Sequence, residues 1–199
     1  MCPGENVRQI SRTLLLPVLL AATMSLTACG TAPWTQHSAA TPTPTHTASH
    51  PTKVQSDLSK GRLERTLKAG GVTLDVTYWS TLSPAKWMPA ADKPLFVSFV
   101  GTAGSTVYAS SIAMTAVAYR GGTPVSTKPI AITDTATVQP GYTVSTPYSY
   151  TGLFTIPAMP VKATKVIVQF TYVLLQAAPP EGGYAKSTTI DTLTLGLAD

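Results

Sequence analysis

The chain carries few residues with which to do chemistry, and their distribution does not favour catalysis. Its three histidines, His37, His46 and His50, all precede residue 51, and its two cysteines are Cys2 and Cys29. From residue 61 onward there is neither His nor Cys. That excludes Ser-His-Asp and Cys-His catalysis there, and with them nearly all zinc and copper sites. The acids of that stretch are Glu64, Asp75, Asp92, Asp134, Glu181, Asp191 and Asp199. A glycosidase needs two carboxylates converging on a cleft, and acids scattered over strand faces and turns do not suggest one. No Asp-x-Asp calcium loop occurs, and no Asn follows Cys29 to supply ligands of that kind. No phosphate-cradling glycine motif follows a strand and opens a helix.

One nucleophile spacing does occur, at Ser83-Pro84-Ala85-Lys86. In penicillin-binding enzymes Ser-x-x-Lys sets the lysine beside the serine on the first turn of a helix. The Ser-Asp-Asn and Lys-Thr-Gly partners of that site are missing here, and no helical pattern carries the pair. His46 and His50 are four residues apart, but the prolines around them prevent the helix that would set them on one face. They read as polar filler. The expectation is a protein that is not an enzyme, with no catalytic residue, no metal and no cofactor.

The positive candidates are aromatic. The stretch from Trp79 to Ala90 links two strong strand patterns and contains Trp79, Trp87 and Met88. On an end loop such side chains can stack on sugars or anchor a protein partner. Alternatively, both tryptophans cap the core and Met88 fills a gap. Tyr142, Tyr148 and Tyr150 form a second group beside Pro140-Gly141 and Pro147. They are either a binding surface or cross-strand pairs on a sheet.

These residues must be positioned by strands. Val72, Leu74, Val76 and Tyr78 alternate with Thr73, Asp75, Thr77 and Trp79, the period of a half-buried strand. Gly70-Gly71 reads as a hairpin turn joining this run to 63–69. Further strands are expected at 95–100, 112–120, 130–138, 148–156, 166–175 and 190–197, with turns at 101–105, 121–122 and 179–183. About seven to nine short strands punctuated by Gly and Pro predict an all-β fold, an antiparallel immunoglobulin-like β-sandwich over 61–199. A Greek-key barrel or a jelly roll comes next. The Cys…Trp…Cys pattern of true immunoglobulin domains is absent, so the likeness is one of architecture. The composition agrees, with 12% charged residues, 44% hydrophobic residues and 17 prolines among abundant Thr and Ser.

The N-terminal part has a different character. Arg8 and Arg12 precede an apolar run over 13–26, broken once by Pro17, and the run ends in Leu26-Thr27-Ala28-Cys29. A basic segment, a short apolar segment and small residues make up a secretory signal, shorter than the ~20 residues of a spanning helix. Here the sequence resembles bacterial lipoprotein precursors, whose lipobox has an aliphatic residue, two small residues and an invariant cysteine. The resemblance covers about the first 30 residues. It implies cleavage before Cys29 and a diacylglyceryl thioether (palmitate) on its sulfur, and leaves open whether the new amino group is acylated as well. Two chains at about 0.8 kcal/mol per buried methylene hold a protein stably in a bilayer. Residues 1–28 are then the signal peptide.

Residues 29–60 follow as a Thr/Pro/Ser-rich linker with no apolar period, expected to be disordered and extended. Some thirty residues at ~3.1 Å each reach on the order of 90 Å. Trp34 lies within it, close to the anchor. Lys53, Lys60, Arg62, Arg65 and Lys68 are spread over the junction and read as a solvated linker and edge strand, with contact to lipid headgroups or wall polymer as the other use.

The net charge of +5 falls to +4 without Arg8, Arg12 and Glu5. That is too mild and too dispersed for a nucleic-acid partner. The expected localisation is the extracytoplasmic face of the cell membrane. The expected function is display of a non-catalytic binding or scaffolding domain to an envelope protein, a wall polymer or a host surface. A lipoprotein carrying a small or apolar ligand to a transporter is the alternative, and an envelope hydrolase the third.

Overall fold

The computed structural model describes residues 54–178 and 182–198. The expectations for the signal segment, Cys29, Trp34, the histidines, Glu181 and Asp199 lie outside those residues.

Among the described residues ten strands form two sheets, and every pairing between these strands is antiparallel. β1 (Arg62–Ala69) and β2 (Val72–Trp79) are the expected hairpin. Gly70 turns it at a φ of 60°, a backbone conformation that side chains with a Cβ rarely adopt. β3 (Lys93–Thr102) pairs with β2, and β8 (Tyr150–Ile156) closes the sheet in the order β1-β2-β3-β8. The second sheet runs β10 (Gly183–Gly196), β9 (Lys165–Ala178), β4 (Val107–Arg120). β5 (Thr123–Pro124), β6 (Ile130–Thr135) and β7 (Tyr142–Thr143) all pair with the outer side of β4. Two of the ten strands are only two residues long, so eight carry the fold, as the alternation predicts.

One apolar core lies between the sheets. The inward parity of β2 and β3 meets that of β4 and β9 there. Phe154 packs edge-on to Phe170 (centroids 5.3 Å apart), Phe99 edge-on to Tyr172 (5.1 Å), and Tyr78 tilts against Phe170 (5.3 Å). Burying each large side chain contributes about 1.5–3 kcal/mol. A row of such rings therefore holds the two sheets together.

Three boundaries differ from the sequence expectation. β4 begins at Val107 instead of 112, because the register shifts between Ala109 and Ser111. The extra residue flips the alternation: Val107 and Ala109 are buried, and so is Ile112. β10 begins at Gly183 instead of 190, held by hairpin pairing to β9 where its own apolar signal is weak. Residues 54–60 pack on the domain. Leu58 is in the core, and Asp57 donates its N–H to the Thr194 carbonyl and accepts the Thr194 N–H on Oδ2.

Strand directions sort the loops onto two poles. The chain enters at one end through 54–61, and to that end return 80–92, 121–129, 157–164 and the last residues, Leu197 and Ala198. At the other end lie Gly70-Gly71, 103–106 and 136–149.

Candidate functional site

The 80–92 loop sits at the entry pole and divides its aromatic residues. Trp79 lies on the outer face of the first sheet, stacked on Phe96 with centroids 5.3 Å apart and planes 11° apart. Leu153 on β8, the cross-strand partner of Phe96, is exposed. Trp87 is buried in the core, and its Nε1–H donates to the Leu82 carbonyl at 3.2 Å. The indole therefore offers no surface to a partner. The chain has to turn inward here because Ala198 N–H donates to the Trp87 carbonyl and Met159 N–H to the Pro89 carbonyl. Met88 lies outside that turn and is 49% exposed.

Ser83 precedes a single 3-10 turn, Pro84–Lys86. Both Ser83 and Lys86 are exposed, and among the described residues their side chains form no hydrogen bond to each other. Nothing there holds an amine against the hydroxyl as a base.

The tyrosine group is also divided. Tyr148 is exposed at the far pole. Tyr142 and Tyr150 meet with ring centroids 5.8 Å apart, and both hydroxyls donate to Asp134, from Tyr142 at 3.2 Å. Asp134 shares the inward parity of Ile130 and Ile132 on β6. Gly152 makes room for the phenol of Tyr150, since a Cβ at that position would collide with the ring. Burial, and then the bond to Asp134, push the Tyr150 phenol above its ordinary pKa. These two tyrosines close the β6–β8 edge of the sandwich.

The opposite edge, between β1 and β10, holds a network that the sequence reading missed. Asp191 is 6% exposed. Tyr78 Oη donates to its Oδ2 at 2.8 Å, Arg65 Nη1 to its Oδ1, and the Thr192 N–H to Oδ1 at 2.8 Å. With its one proton given to Asp191, Tyr78 accepts from Tyr172 Oη at 2.8 Å. Arg65 also donates to the Thr192 carbonyl at 2.9 Å and lies 3.4 Å from Asp57. Burial raises the pKa of both tyrosines, reinforced at Tyr78 by charge repulsion from an ionised Tyr172.

A fourth inward charge is Lys93, fully buried on β3, whose Nζ donates to the carbonyls of Pro89 and Ala91. Burial lowers its pKa. The available signal was parity. Arg65, Lys93, Asp134 and Asp191 all fall in step with apolar neighbours that face the core.

The poles differ in their concavities. At the entry pole a groove of about 620 Å³ is lined by Val54, Ser83, Pro84, Ala85, Leu197 and neighbouring residues. At the far pole a shallower one of about 260 Å³ is lined by Gly101–Thr106 with Ser145 and Thr146. The second is almost all hydroxyl and backbone, with no charged side chain. Among the described residues, no three of His, Cys, Asp and Glu come together to hold a metal.

These features define a class: a two-sheet antiparallel β-sandwich whose open edges are each closed by an inward-facing carboxylate and its tyrosines. No protein-family model and no curated protein matches the chain. Among solved structures, it is similar to the X-ray structure of Northeast Structural Genomics Consortium target SoR45. That likeness has a TM-score of 0.40 and 10% sequence identity, over 66% of this chain and 90% of that one. It bears on neither family nor function.

Proposed function

We propose that the chain is a bacterial lipoprotein, anchored through Cys29 on the extracytoplasmic face of the membrane, that displays a non-catalytic β-sandwich for binding or scaffolding. The observation that carries this reading is where the chain enters the fold. Residues 54–61 are stitched to β10 at one pole, so the chain joins the domain at that end. The pole with Tyr148 and the hydroxyl-lined groove is the one presented outward. The lipobox Leu26–Cys29 supports the anchor. The strand order, with β4-β9-β10 facing β2-β3-β8, supports an immunoglobulin-like arrangement. Engagement of Asp134 and Asp191 by tyrosine hydroxyls supports a structural role for those acids over a hydrolytic one. The partner is an envelope protein or a wall polymer that meets the outward pole. Trp87 and Tyr150 are structural in this reading, and Tyr148 is the exposed anchor.

Two experiments test it. Cys29→Ala should shift the protein from the detergent phase to the aqueous phase, or leave it as precursor. A mutant processed and retained like wild type sinks the anchor. A photo-cross-linker at Tyr148 in cells should capture one dominant envelope component, and one in the 80–92 loop should not. The reverse pattern sinks the outward-pole reading.

The groove at the entry pole favours the second reading, a carrier of a small apolar ligand, because its lining is mostly apolar. A lipid-sized mass that survives native mass spectrometry of the purified chain would establish that instead.

A further inference from the structure

The charges of the described domain are sorted by pole. Lys60, Lys86, Arg120, Lys128 and Lys162 come from five separate segments, all at the entry pole, and all are exposed. Among the described residues none of the five forms an ion pair. The acids nearby are largely engaged. Glu64 pairs with Arg62 at 2.8 Å, Asp57 is held by Arg65 and Thr194, and Asp92 accepts the Ala158 N–H at 3.1 Å. At the far pole the described basic residues are Lys68 and Lys186 alone, with Asp75 nearby accepting from Thr66. The entry pole also exposes Val161, 82% accessible, next to Lys162, and Met88 two residues from Lys86.

We infer that the entry pole is a docking surface for anionic phospholipid, on which the domain sits with its far pole outward. Flexible lysines beside exposed apolar side chains suit a bilayer interface, where ammonium groups reach headgroup phosphates and short apolar groups enter the acyl boundary. Each basic residue near an anionic membrane contributes about a fivefold gain in partitioning. Five together exceed what the two of the far pole can offer. The effect acts within about one Debye length, roughly 8 Å at physiological salt. It therefore orients the domain only when the linker lets it come down to the surface. The lipid-anchored reading supplies the bilayer; the basic pole is a property of the folded part alone.

The test uses the chain from Gly30 to Asp199 without its lipid, which keeps the whole described core. It is sedimented with vesicles of phosphatidylglycerol or of phosphatidylcholine. Binding to phosphatidylglycerol only, abolished by molar salt, is expected. The triple variant K86Q/K128Q/K162Q should bind at least tenfold more weakly. Arginine at the same three positions should restore binding, and K68Q/K186Q should stay within about threefold of wild type. Absence of binding to phosphatidylglycerol overturns the inference. So does equal loss in both glutamine variants, or retention on an anionic wall polymer at matched phosphate with none on vesicles. Because no lipid is attached, failure here leaves the Cys29 anchor standing, and failure of Cys29 lipidation leaves this result unchanged.

Discussion

The two open edges of the sandwich solve one problem in different ways. Each sets a carboxylate on the inward parity of a strand, the buried Asp191 on β10 and the half-buried Asp134 on β6. Asp191 has a cation beside it, Arg65, as well as a phenol and a backbone N–H. Asp134 has two phenols and no cation among its bonded partners. A fully enclosed carboxylate needs a counter-charge, because burying an unpaired ion costs several kcal/mol. A half-exposed one is satisfied by neutral donors with water nearby. The β1–β10 edge therefore depends on an ion pair, while the β6–β8 edge depends on aromatic packing and two hydrogen bonds.

The largest effect should come from breaking the ion-paired edge. Asp191→Ala leaves Arg65 and Tyr78 without their acceptor, and should lower stability by about 3–5 kcal/mol in urea unfolding. Asp134→Ala should cost less, about 1–3 kcal/mol. Equal losses would erase the distinction between the edges. Restoring an apolar pair, Asp191→Leu with Arg65→Leu, should recover most of the loss, as apolar replacements of buried pairs often do.

Tyrosine ionisation sharpens the comparison. Burial raises the pKa of Tyr78, Tyr150 and Tyr172 above the ordinary value near 10. Above that value the unfolded chain loses protons that the folded chain keeps. These three thus stabilise the fold fully below about pH 10, and the contribution falls as pH rises further. In an absorbance titration they should ionise only together with unfolding. Three extra phenols titrating in the folded state would contradict the burial. Tyr78→Phe should cost more than Tyr150→Phe, about 2 against about 1 kcal/mol, since Tyr78 serves two partners in a drier site.

Lys93 acts in the opposite direction. Its pKa is lowered by burial, so at pH values between the folded pKa and the ordinary one near 10.5 the unfolded chain binds more protons. Its contribution therefore makes stability rise with pH across that window. Lys93→Met should remove the rise, measured as unfolding free energy at successive pH values up to about 10. An unchanged slope would place its titration elsewhere. The smallest effect belongs to Arg62→Ala, within about 0.5 kcal/mol, because its pair with Glu64 is exposed at both ends.

The sequence revealed the strands that bury one clean face. β2 and β9 alternate without interruption, and both appear at nearly the expected bounds. It concealed the start of β4, where the bulge at Ala109–Ser111 breaks the parity on which such reading depends. It also concealed the first half of β10, whose Tyr184-Ala185-Lys186-Ser187-Thr188-Thr189 is held by register to β9 and not by an apolar face of its own. The candidate aromatics were found in sequence, but not their partition. Whether a Trp or Tyr faces a core or a partner depends on neighbours distant in the chain, such as Ala198 for Trp87 and Asp134 for Tyr150. The buried charges were present as parity, and were passed over because a charged residue among Thr and Ser looks like surface.

The stitch between Asp57 and Thr194 also has a mechanical meaning. A pull along the residues preceding Val54 reaches the fold at this point first. Both hydrogen bonds join the same two residues, so a load on the entering segment falls on them together. Gly196 keeps the contact close, since a Cβ there would run into the Val54 carbonyl. Arg65, which meets both Asp57 and Asp191, links that stitch to the core. The ion-paired edge is in this sense the strain relief of the entering segment.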